Sequence, residues 1–105
     1  TWKELSCPDS GKRKFHTSTL FKDYIITYGG DNGSGELDEI ILFDCKQNTW
    51  RHVEATEGTP NPRQGHSACL YQDNTIIIFG GINRTGVLNQ TSKIIITEKD
   101  GKGIC

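Results

Sequence analysis

The sequence predicts an all-β protein built from repeated four-stranded antiparallel sheets, and three observations support this fold class. A basic motif ending in His-Thr or His-Ser occurs twice, because Lys12–Thr17 is matched by Pro62–Ser67 at an offset of 50 residues. An apolar run ending in two glycines also recurs, with Tyr24–Gly30 matched by Thr75–Gly81 at an offset of 51. Short β-branched and aromatic runs are separated by Gly, Asn and Asp, which is typical of strands and turns. A period of this length with strand-like content indicates a repeat architecture.

The first repeat is predicted to contain four strands, which we letter a to d in chain order. A tight turn at Lys22-Asp23 separates strands a and b, and a second turn, Cys45–Asn48, separates strands c and d. The predicted bounds are His16–Phe21 for strand a, Tyr24–Tyr28 for b, Ile40–Asp44 for c and Thr49–Val53 for d.

The second repeat follows the same plan, and its a–b turn at Gln72-Asp73-Asn74 carries the residue that changes the offset from 50 to 51. Gly101 stands where Trp50 predicts a second tryptophan, so we expect strand d of this repeat to be degenerate or missing. Its other predicted strands are a at His66–Tyr71, b at Thr75–Phe79 and c at about Lys93–Thr97.

The first residues of the chain match strand d of the first repeat, because Thr1–Leu5 aligns with Thr49–Val53. The predicted organisation is therefore 1–5 as the last strand of a preceding unit, 6–54 as one complete unit and 55–105 as a second. We expect the paired glycines after each strand b to provide positive φ angles and close approach of a neighbouring strand. Trp2 and Trp50 offer large apolar areas for packing between sheets.

Composition limits the classes of partner. The 105 residues carry a formal net charge of −1, which gives no general attraction to nucleic acid or to a membrane surface, and no apolar run is long enough to span a bilayer. The four cysteines form no Cys-x-x-Cys pair, so we expect free thiols in a reducing, cytoplasmic compartment, no metal site and no cofactor. Those in strand-like contexts should behave as small apolar residues. The cysteines are Cys7, Cys45, Cys69 and Cys105.

These motifs together resemble the kelch repeat. The second copy has Pro62-Arg63 followed by Gly65-His66, and the first has an apolar strand ending in Gly29-Gly30, then Leu37-Asp38 and Asn48-Thr49-Trp50. Two positions depart from the pattern, because Lys12 and Phe15 replace Pro and Gly in the first motif. The resemblance implies that each unit is one blade of a β-propeller, a four-stranded antiparallel sheet, and that the chain holds about two blades of a larger ring.

The resemblance also implies a protein-binding module and not an enzyme. The Arg13-to-Thr17 start and the Gly29–Gly33 segment are similar to the leucine-zipper-like regulators that act as cullin-3 adaptors, which makes a ubiquitin-ligase substrate or a small GTPase the expected partner. The remaining blades would be supplied in cis or by other copies in trans.

The connections between strands place the expected binding face. In an antiparallel sheet the b–c and d–a loops leave from the same edge, and long loops on a rigid scaffold collect binding residues. The b–c loops are predicted at Asp31–Glu36 and Ile82–Val87, and the d–a loops at Ser6–Lys14 and Ala55–Pro62. The positive segment Lys12-Arg13-Lys14 would favour an acidic peptide. The predicted partner-binding residues are Arg13, Asp31, Asn32, Ser34, Glu36, Asn83 and Arg84.

Other interpretations stay open at this stage. For Arg13, Arg63, His16 and His66, which recur with the motif, structural hydrogen bonding is favoured over ligand contact, and the loop asparagines could serve turn chemistry alone. A two-blade subunit could assemble into a six-bladed trimer, with Thr1–Leu5 completing the second sheet and a carbohydrate as ligand. A third interpretation is a copper enzyme of the galactose oxidase type. It is disfavoured because the His and Tyr residues occur at repeat-equivalent positions and do not form a dedicated set of copper ligands.

Overall fold

The computed structural model describes residues 1–5, 12–53 and 60–96, and every regular element in these ranges is a β-strand. The predicted all-β class and antiparallel sheets are confirmed. The strands are β1 (Thr17–Phe21), β2 (Tyr24–Tyr28), β3 (Ile40–Asp44), β4 (Thr49–Val53), β5 (Ser67–Tyr71), β6 (Thr75–Phe79), β7 (Ile82–Asn83), β8 (Gly86–Val87) and β9 (Thr91–Ile95).

The first sheet is a meander in which each strand pairs antiparallel with the next, in the order β1-β2-β3-β4. Strands β2, β3 and β4 have the predicted bounds of b, c and d. Strand β1 begins one residue later than predicted, because Phe15 adopts a left-handed conformation (φ 61°) and the paired ladder starts only at Thr17. In the second sheet Gly65 has the same conformation (φ 68°), and β5 likewise starts at Ser67.

The second sheet has the order β5-β6-β9 within the described residues. The prediction of Lys93–Thr97 for strand c is wrong by two residues, because pairing of Phe79 with Thr91 and of Thr75 with Ile95 fixes the strand at Thr91–Ile95. The predicted b–c loop Ile82–Val87 is also more regular than expected, since β7 and β8 form a small two-stranded ribbon within it.

The core lies between the two sheets. Because side chains alternate along a strand, Ile26 and Tyr28 of β2 face the second sheet, where Ile76 and Ile78 of β6 meet them. The members of this core cluster are Phe21, Ile26, Tyr28, Ile40, Ile76, Ile78 and Ile96. On the first sheet's other face Trp50 packs against Phe43 with ring centroids 4.7 Å apart. The two sheets therefore stack face to face across this core.

All four paired glycines have the predicted positive φ angles, and Gly29, Gly30 and Gly81 also show the predicted close approach, whereas Gly80 does not. Gly29 and Gly30 have φ angles of 73° and 99°. A Cβ atom on Gly29 would lie 2.8 Å from the carbonyl oxygen of Arg63, and one on Gly30 would lie 2.8 Å from that of Lys14. Glycine is required at both positions because backbone atoms come too close for any side chain, those of the next unit at Gly29 and those of the same unit at Gly30.

Three further predictions concern the first five residues, the cysteines and the fourth strand of the second repeat. Thr1–Leu5 belongs to no strand of the structure, and Trp2 is fully exposed, so its assignment to a preceding unit stays a prediction. Cys45 and Cys69 are free thiols, as expected. Both are exposed, Cys45 in the β3–β4 turn and Cys69 on β5, so neither is packed as the small apolar residue that was expected. Cys7, Cys105 and the predicted fourth strand of the second repeat lie outside the described residues.

Among the residues described, no helix has the length and apolar character needed to cross a membrane.

Candidate partner-binding face

Arg63 fixes the end of the second d–a loop to the end of strand β6. The residue is fully buried, and its Nη1 donates to the carbonyl oxygen of Gly80 at 3.1 Å. Its Nε donates to the carbonyl oxygen of Asn61 at 3.1 Å, and its Nη2 donates to Oε1 of Gln90 at 3.4 Å. A buried guanidinium needs such partners because an unpaired buried charge is costly. The predicted structural role of this motif arginine is confirmed.

Arg13 makes the equivalent contacts in the first sheet. Its Nη1 donates to the carbonyl oxygen of Gly29 at 3.1 Å, and its Nη2 donates to Oε1 of Glu39 at 2.8 Å. The other oxygen of Glu39 lies 3.1 Å from Nδ1 of His52. Only 6% of the Arg13 side chain is exposed. Little of this side chain is therefore available to the partner that it was predicted to contact.

Backbone hydrogen bonds join the two sheets at this edge. The amide of Gly30 donates to the carbonyl oxygen of Arg63 at 2.8 Å, and the amide of Arg63 donates to the carbonyl oxygen of Leu37 at 3.2 Å. The amide of Gly65 donates to the carbonyl oxygen of Phe15 at 2.9 Å. The loops of the two units are therefore held in a fixed relative position by main-chain atoms.

His66 and Tyr28 form the polar part of the junction beneath these loops. His66 Nε2 lies 2.8 Å from Thr17 Oγ1, and its ring meets the ring of Tyr28 edge-on at 5.1 Å. Burial, and then the charge of Arg63, lower the pKa of His66, whose Nδ1 has no hydrogen-bond partner among the described residues. The Tyr28 hydroxyl donates to the carbonyl oxygen of Asn61 at 2.8 Å, and burial raises its pKa to about 12. His16, at the position equivalent to His66, is exposed.

The first b–c loop is shaped by its own polar side chains. Asp31 Oδ1 accepts a hydrogen bond from the amide of Gly33 at 2.8 Å, and Asn32 Oδ1 accepts one from the amide of Ser34 at 2.8 Å. Such contacts two residues apart are Asx turns, which substitute for a backbone turn. The turn role that the sequence left open is therefore present for Asp31 and Asn32.

The second b–c loop is tied to the d–a loop beside it. Asn83 Oδ1 accepts hydrogen bonds from the amide of Thr85 at 2.9 Å and from its hydroxyl at 2.6 Å. The Nδ2 of Asn83 donates to the carbonyl oxygen of Pro62 at 2.9 Å. One side chain therefore stabilises the turn and also positions it against the loop that precedes β5.

Arg84 connects the two b–c loops. Its Nη2 donates to the carbonyl oxygen of Ser34 at 3.2 Å, and its Nε lies 3.9 Å from Oε2 of Glu36. Of the two charged side chains, that of Arg84 is 80% exposed, whereas that of Glu36 is only 14% exposed. The arginine is therefore held across the gap between the loops while most of its surface faces solvent.

A cavity of about 290 Å³ opens where these loops meet. Three predicted residues, Glu36, Asn83 and Arg84, line it together with Pro62 and Thr85. Sequence reasoning missed the last two as site residues. The signals that could have found them are the position of Pro62 at the start of the repeated motif and the Asn-x-Thr pattern that places Thr85 next to its turn asparagine.

The predicted binding residues thus divide into two groups. Ser34, Glu36, Asn83 and Arg84 come together at the meeting point of the loops, with Asp31 and Asn32 shaping the turn beside them. Arg13 lies apart, buried against its own sheet. Of the predicted positive segment, Lys12 and Lys14 remain exposed.

Two larger depressions have different linings. One, of about 650 Å³, lies at the a–b turns on the opposite edge of the sheets and includes Lys22, Gln72 and Asp73. The other, of about 400 Å³, is lined by residues of the first sheet that include Arg13, His16 and Trp50. Within the ranges that the structure describes, no three His, Cys, Asp or Glu side chains are grouped as metal ligands would be.

Stacked antiparallel sheets that present equivalent loops at one edge define a repeat protein of the β-propeller class. A family model described as the KLHDC2/KLHL20/DRC7 Kelch-repeats domain matches residues 1–99. The chain belongs to the kelch-repeat family.

Individual relatives agree with this assignment. The chain is 36% identical over 92 residues to a leucine-zipper-like transcriptional regulator 1 homolog from Drosophila melanogaster, which covers 86% of this chain and 9% of that protein. It is 35% identical over 89 residues to kelch-like protein 7 from Rattus norvegicus, covering 84% of this chain and 14% of that protein. It is 38% identical over 88 residues to Ras guanine nucleotide exchange factor F from Dictyostelium discoideum, covering 80% of this chain and 8% of that protein. The chain therefore spans only a small part of the length of these relatives.

Proposed function

We propose that this chain is part of a kelch-repeat module that binds a protein partner through the edge formed by its b–c and d–a loops. The observation that carries the proposal is the contact of Arg84 with Ser34 and Glu36, which joins the loops of two successive units into one surface. Kelch repeats commonly serve in protein interaction and as substrate adaptors, and the module is proposed to act by binding and not by catalysis.

The charge of the exposed side chains favours a partner with an acidic segment. Lys12 and Lys14 are exposed beside the first loop, and Arg84 presents most of its guanidinium to solvent. Arginine and lysine at a rim attract an acidic chain and speed its association. An arginine already held in place loses less side-chain freedom on binding, which favours affinity.

The names of the relatives support two proposed classes of partner. One relative is named a Ras guanine nucleotide exchange factor, so a small GTPase or one of its regulators is one proposed partner. The similarity to leucine-zipper-like regulators and to kelch-like protein 7 supports a second, a substrate presented to a ubiquitin ligase. Both partners are consistent with the cytoplasmic location proposed from the free thiols of Cys45 and Cys69.

The test compares two edges of the same module. A variant with Asn83 and Arg84 changed to alanine should lose proximity-labelling partners that the wild-type protein captures in cells. A matched variant with Gln72 and Asp73 changed to alanine, at the opposite edge, should keep them, because these exposed side chains belong to the a–b turn. Unchanged partners in the Asn83/Arg84 variant would remove the proposal, and equal loss in both variants would indicate unfolding, which a thermal melt detects.

A further inference from the structure

The first b–c loop carries the only Asn-Gly dipeptide of the sequence, Asn32-Gly33. Both residues are exposed, and Gly33 has a φ of 96° with no atom of a non-adjacent residue within 4 Å of the place where a Cβ would stand. An asparagine side chain can be attacked at Cγ by the backbone nitrogen of the next residue, which closes a five-membered succinimide ring. Glycine at that next position offers the least steric resistance, because it has no side chain.

Two hydrogen bonds of this loop involve atoms that take part in that reaction. The attacking nitrogen is the amide of Gly33, and its N–H already donates to the carboxylate oxygen Oδ1 of Asp31 at 2.8 Å. A carboxylate in hydrogen-bond contact with the proton to be removed is placed as a general base. The sequence puts that carboxylate directly before the asparagine.

The loop also supplies a hydrogen-bond donor to the oxygen atom that gains negative charge in this reaction. During the attack, negative charge develops on Oδ1 of Asn32, and this atom accepts a hydrogen bond from the amide of Ser34 at 2.8 Å. A donor already aimed at an atom that becomes an oxyanion stabilises the transition state more than the ground state. The loop therefore holds a base on the nucleophile and a donor on the electrophile's oxygen.

We propose that Asn32 is a site of spontaneous deamidation that the folded loop promotes. The nitrogen of Gly33 bonds to Cγ of Asn32 while its proton passes to the carboxylate of Asp31. The bond between Cγ and Nδ2 then breaks, and the leaving nitrogen takes that proton and departs as ammonia, which leaves the succinimide. Addition of one water molecule opens the ring and gives aspartate or isoaspartate at position 32, with no change in oxidation state.

The product would change the surface proposed for partner binding. Position 32 gains a negative charge, next to the carboxylates of Asp31 and Glu36. An isoaspartate also lengthens the backbone at this point, which displaces the carbonyl oxygen of Ser34 that accepts the hydrogen bond from Arg84. The modification would therefore loosen the connection between the two b–c loops.

The experiment is a time course of the purified protein at neutral pH, followed by peptide mapping by mass spectrometry and isoaspartate detection. Asn32 should convert, whereas Asn48 and Asn89, which are also exposed but precede Thr49 and Gln90, should not. Asp31→Asn keeps an oxygen that can accept the Gly33 hydrogen bond but removes the base, so it should slow conversion by on the order of tenfold. Asn32→Gln should abolish the product, since its longer side chain disfavours the cyclisation.

Denaturant gives the decisive comparison. In urea the contacts of Asp31 and Ser34 with the reacting atoms are lost, so conversion at Asn32 should become slower than in the folded protein. Faster conversion in urea would show that the loop protects Asn32, and an Asp31→Asn variant that converts as fast as the wild-type protein would show that Asp31 is not the base. Either result would overturn the proposal.

Discussion

Phe15 occupies the backbone position of Gly65 and shares its left-handed conformation, with φ angles of 61° and 68°. The sequence departs from its own repeat at this point, because phenylalanine stands where the second copy has glycine. The backbone nevertheless keeps the repeat geometry, and the carbonyl oxygen of Phe15 accepts a hydrogen bond from the amide of Gly65 at 2.9 Å. The left-handed region is unfavourable for a residue with a bulky side chain, so this position is strained.

Replacing Phe15 by glycine should therefore stabilise the protein. Relief of the left-handed conformation contributes about 1–2 kcal/mol, and loss of the contact between Lys14 Nζ and the ring, at 5.5 Å, together with the greater freedom of glycine when unfolded, offsets part of it. A net gain of about 0.5 kcal/mol in the free energy of unfolding should appear as a raised Tm. Gly65→Ala is the reverse control and should lower Tm. A lowered Tm for Phe15→Gly would mean that the ring contributes more than the strain costs.

Gly29→Ala should be strongly destabilising. The added methyl group would lie 2.8 Å from both the carbonyl oxygen of Arg63 and Cε1 of His66, and the φ of 73° is itself unfavourable for alanine. We expect a loss of about 3 kcal/mol or more in urea denaturation. Gly65→Ala is the matched control, because its φ of 68° is similar and nothing lies within 4 Å of the added methyl group, so it should cost only about 1 kcal/mol. Equal losses would show that the junction can move to accept a methyl group.

Arg63→Lys should destabilise the protein by about 3 kcal/mol, although it keeps the charge. The guanidinium reaches Gly80, Asn61 and Gln90 at once, and a lysine ammonium lacks the planar fork that makes such contacts. Arg51→Lys, at an exposed position of β4, should leave the denaturation midpoint nearly unchanged. If the two variants unfold at the same urea concentration, the buried hydrogen bonds of Arg63 contribute little to stability.

Stability should fall as the pH is lowered through the weakly acidic range because of His66. Its pKa in the folded protein lies below the usual value near 6.5, so the unfolded chain binds a proton more readily than the folded one. The contribution of neutral His66 is therefore fully present above about pH 6.5 and decreases as the pH falls toward the folded-state pKa. His66→Gln should flatten this dependence in thermal melts between pH 7 and about pH 5.

The matched control is His16→Gln, at the equivalent but exposed position. Because this ring makes none of the buried contacts of His66, the variant should keep the pH dependence of the wild-type protein. A slope that persists in His66→Gln and disappears in His16→Gln would assign the effect to the wrong histidine and contradict the prediction.

Much of the fold could be predicted because the same pattern of strands and turns occurs twice in the sequence. Strands β2, β3, β4 and β6 have their predicted bounds, since in each case an apolar run or a Trp-containing run begins or ends at a clear turn signal. Strand β9 was misplaced because its apolar residues extend to Ile96, beyond the end of pairing. The amide of Ile96 instead donates to the carbonyl oxygen of Asn74 at 2.8 Å, and only partner strand β6 sets that limit.

The candidate site was harder to predict, because its geometry depends on contacts between the two units. Asn83 and Arg84 were selected as loop residues, but the reach of Arg84 to Ser34 joins residues 50 positions apart. Arg13 was placed in the site because Lys12-Arg13-Lys14 forms a positive segment that would favour an acidic peptide. Arg13 is buried because the carbonyl oxygen of Gly29 and the carboxylate of Glu39 both accept hydrogen bonds from it. These acceptors are distant in sequence, so the residues next to Arg13 do not indicate its burial.

The hydrogen bonds of Gly30, Arg63 and Leu37 at the junction use only main-chain atoms. Such links do not depend on which side chains the loops carry, provided that glycine remains where the backbones touch. The angle between successive units can therefore persist while the loops above it are substituted freely. A ring assembled in this way could acquire a new ligand by changes in loop residues alone, while the main-chain contacts that join its blades stay the same.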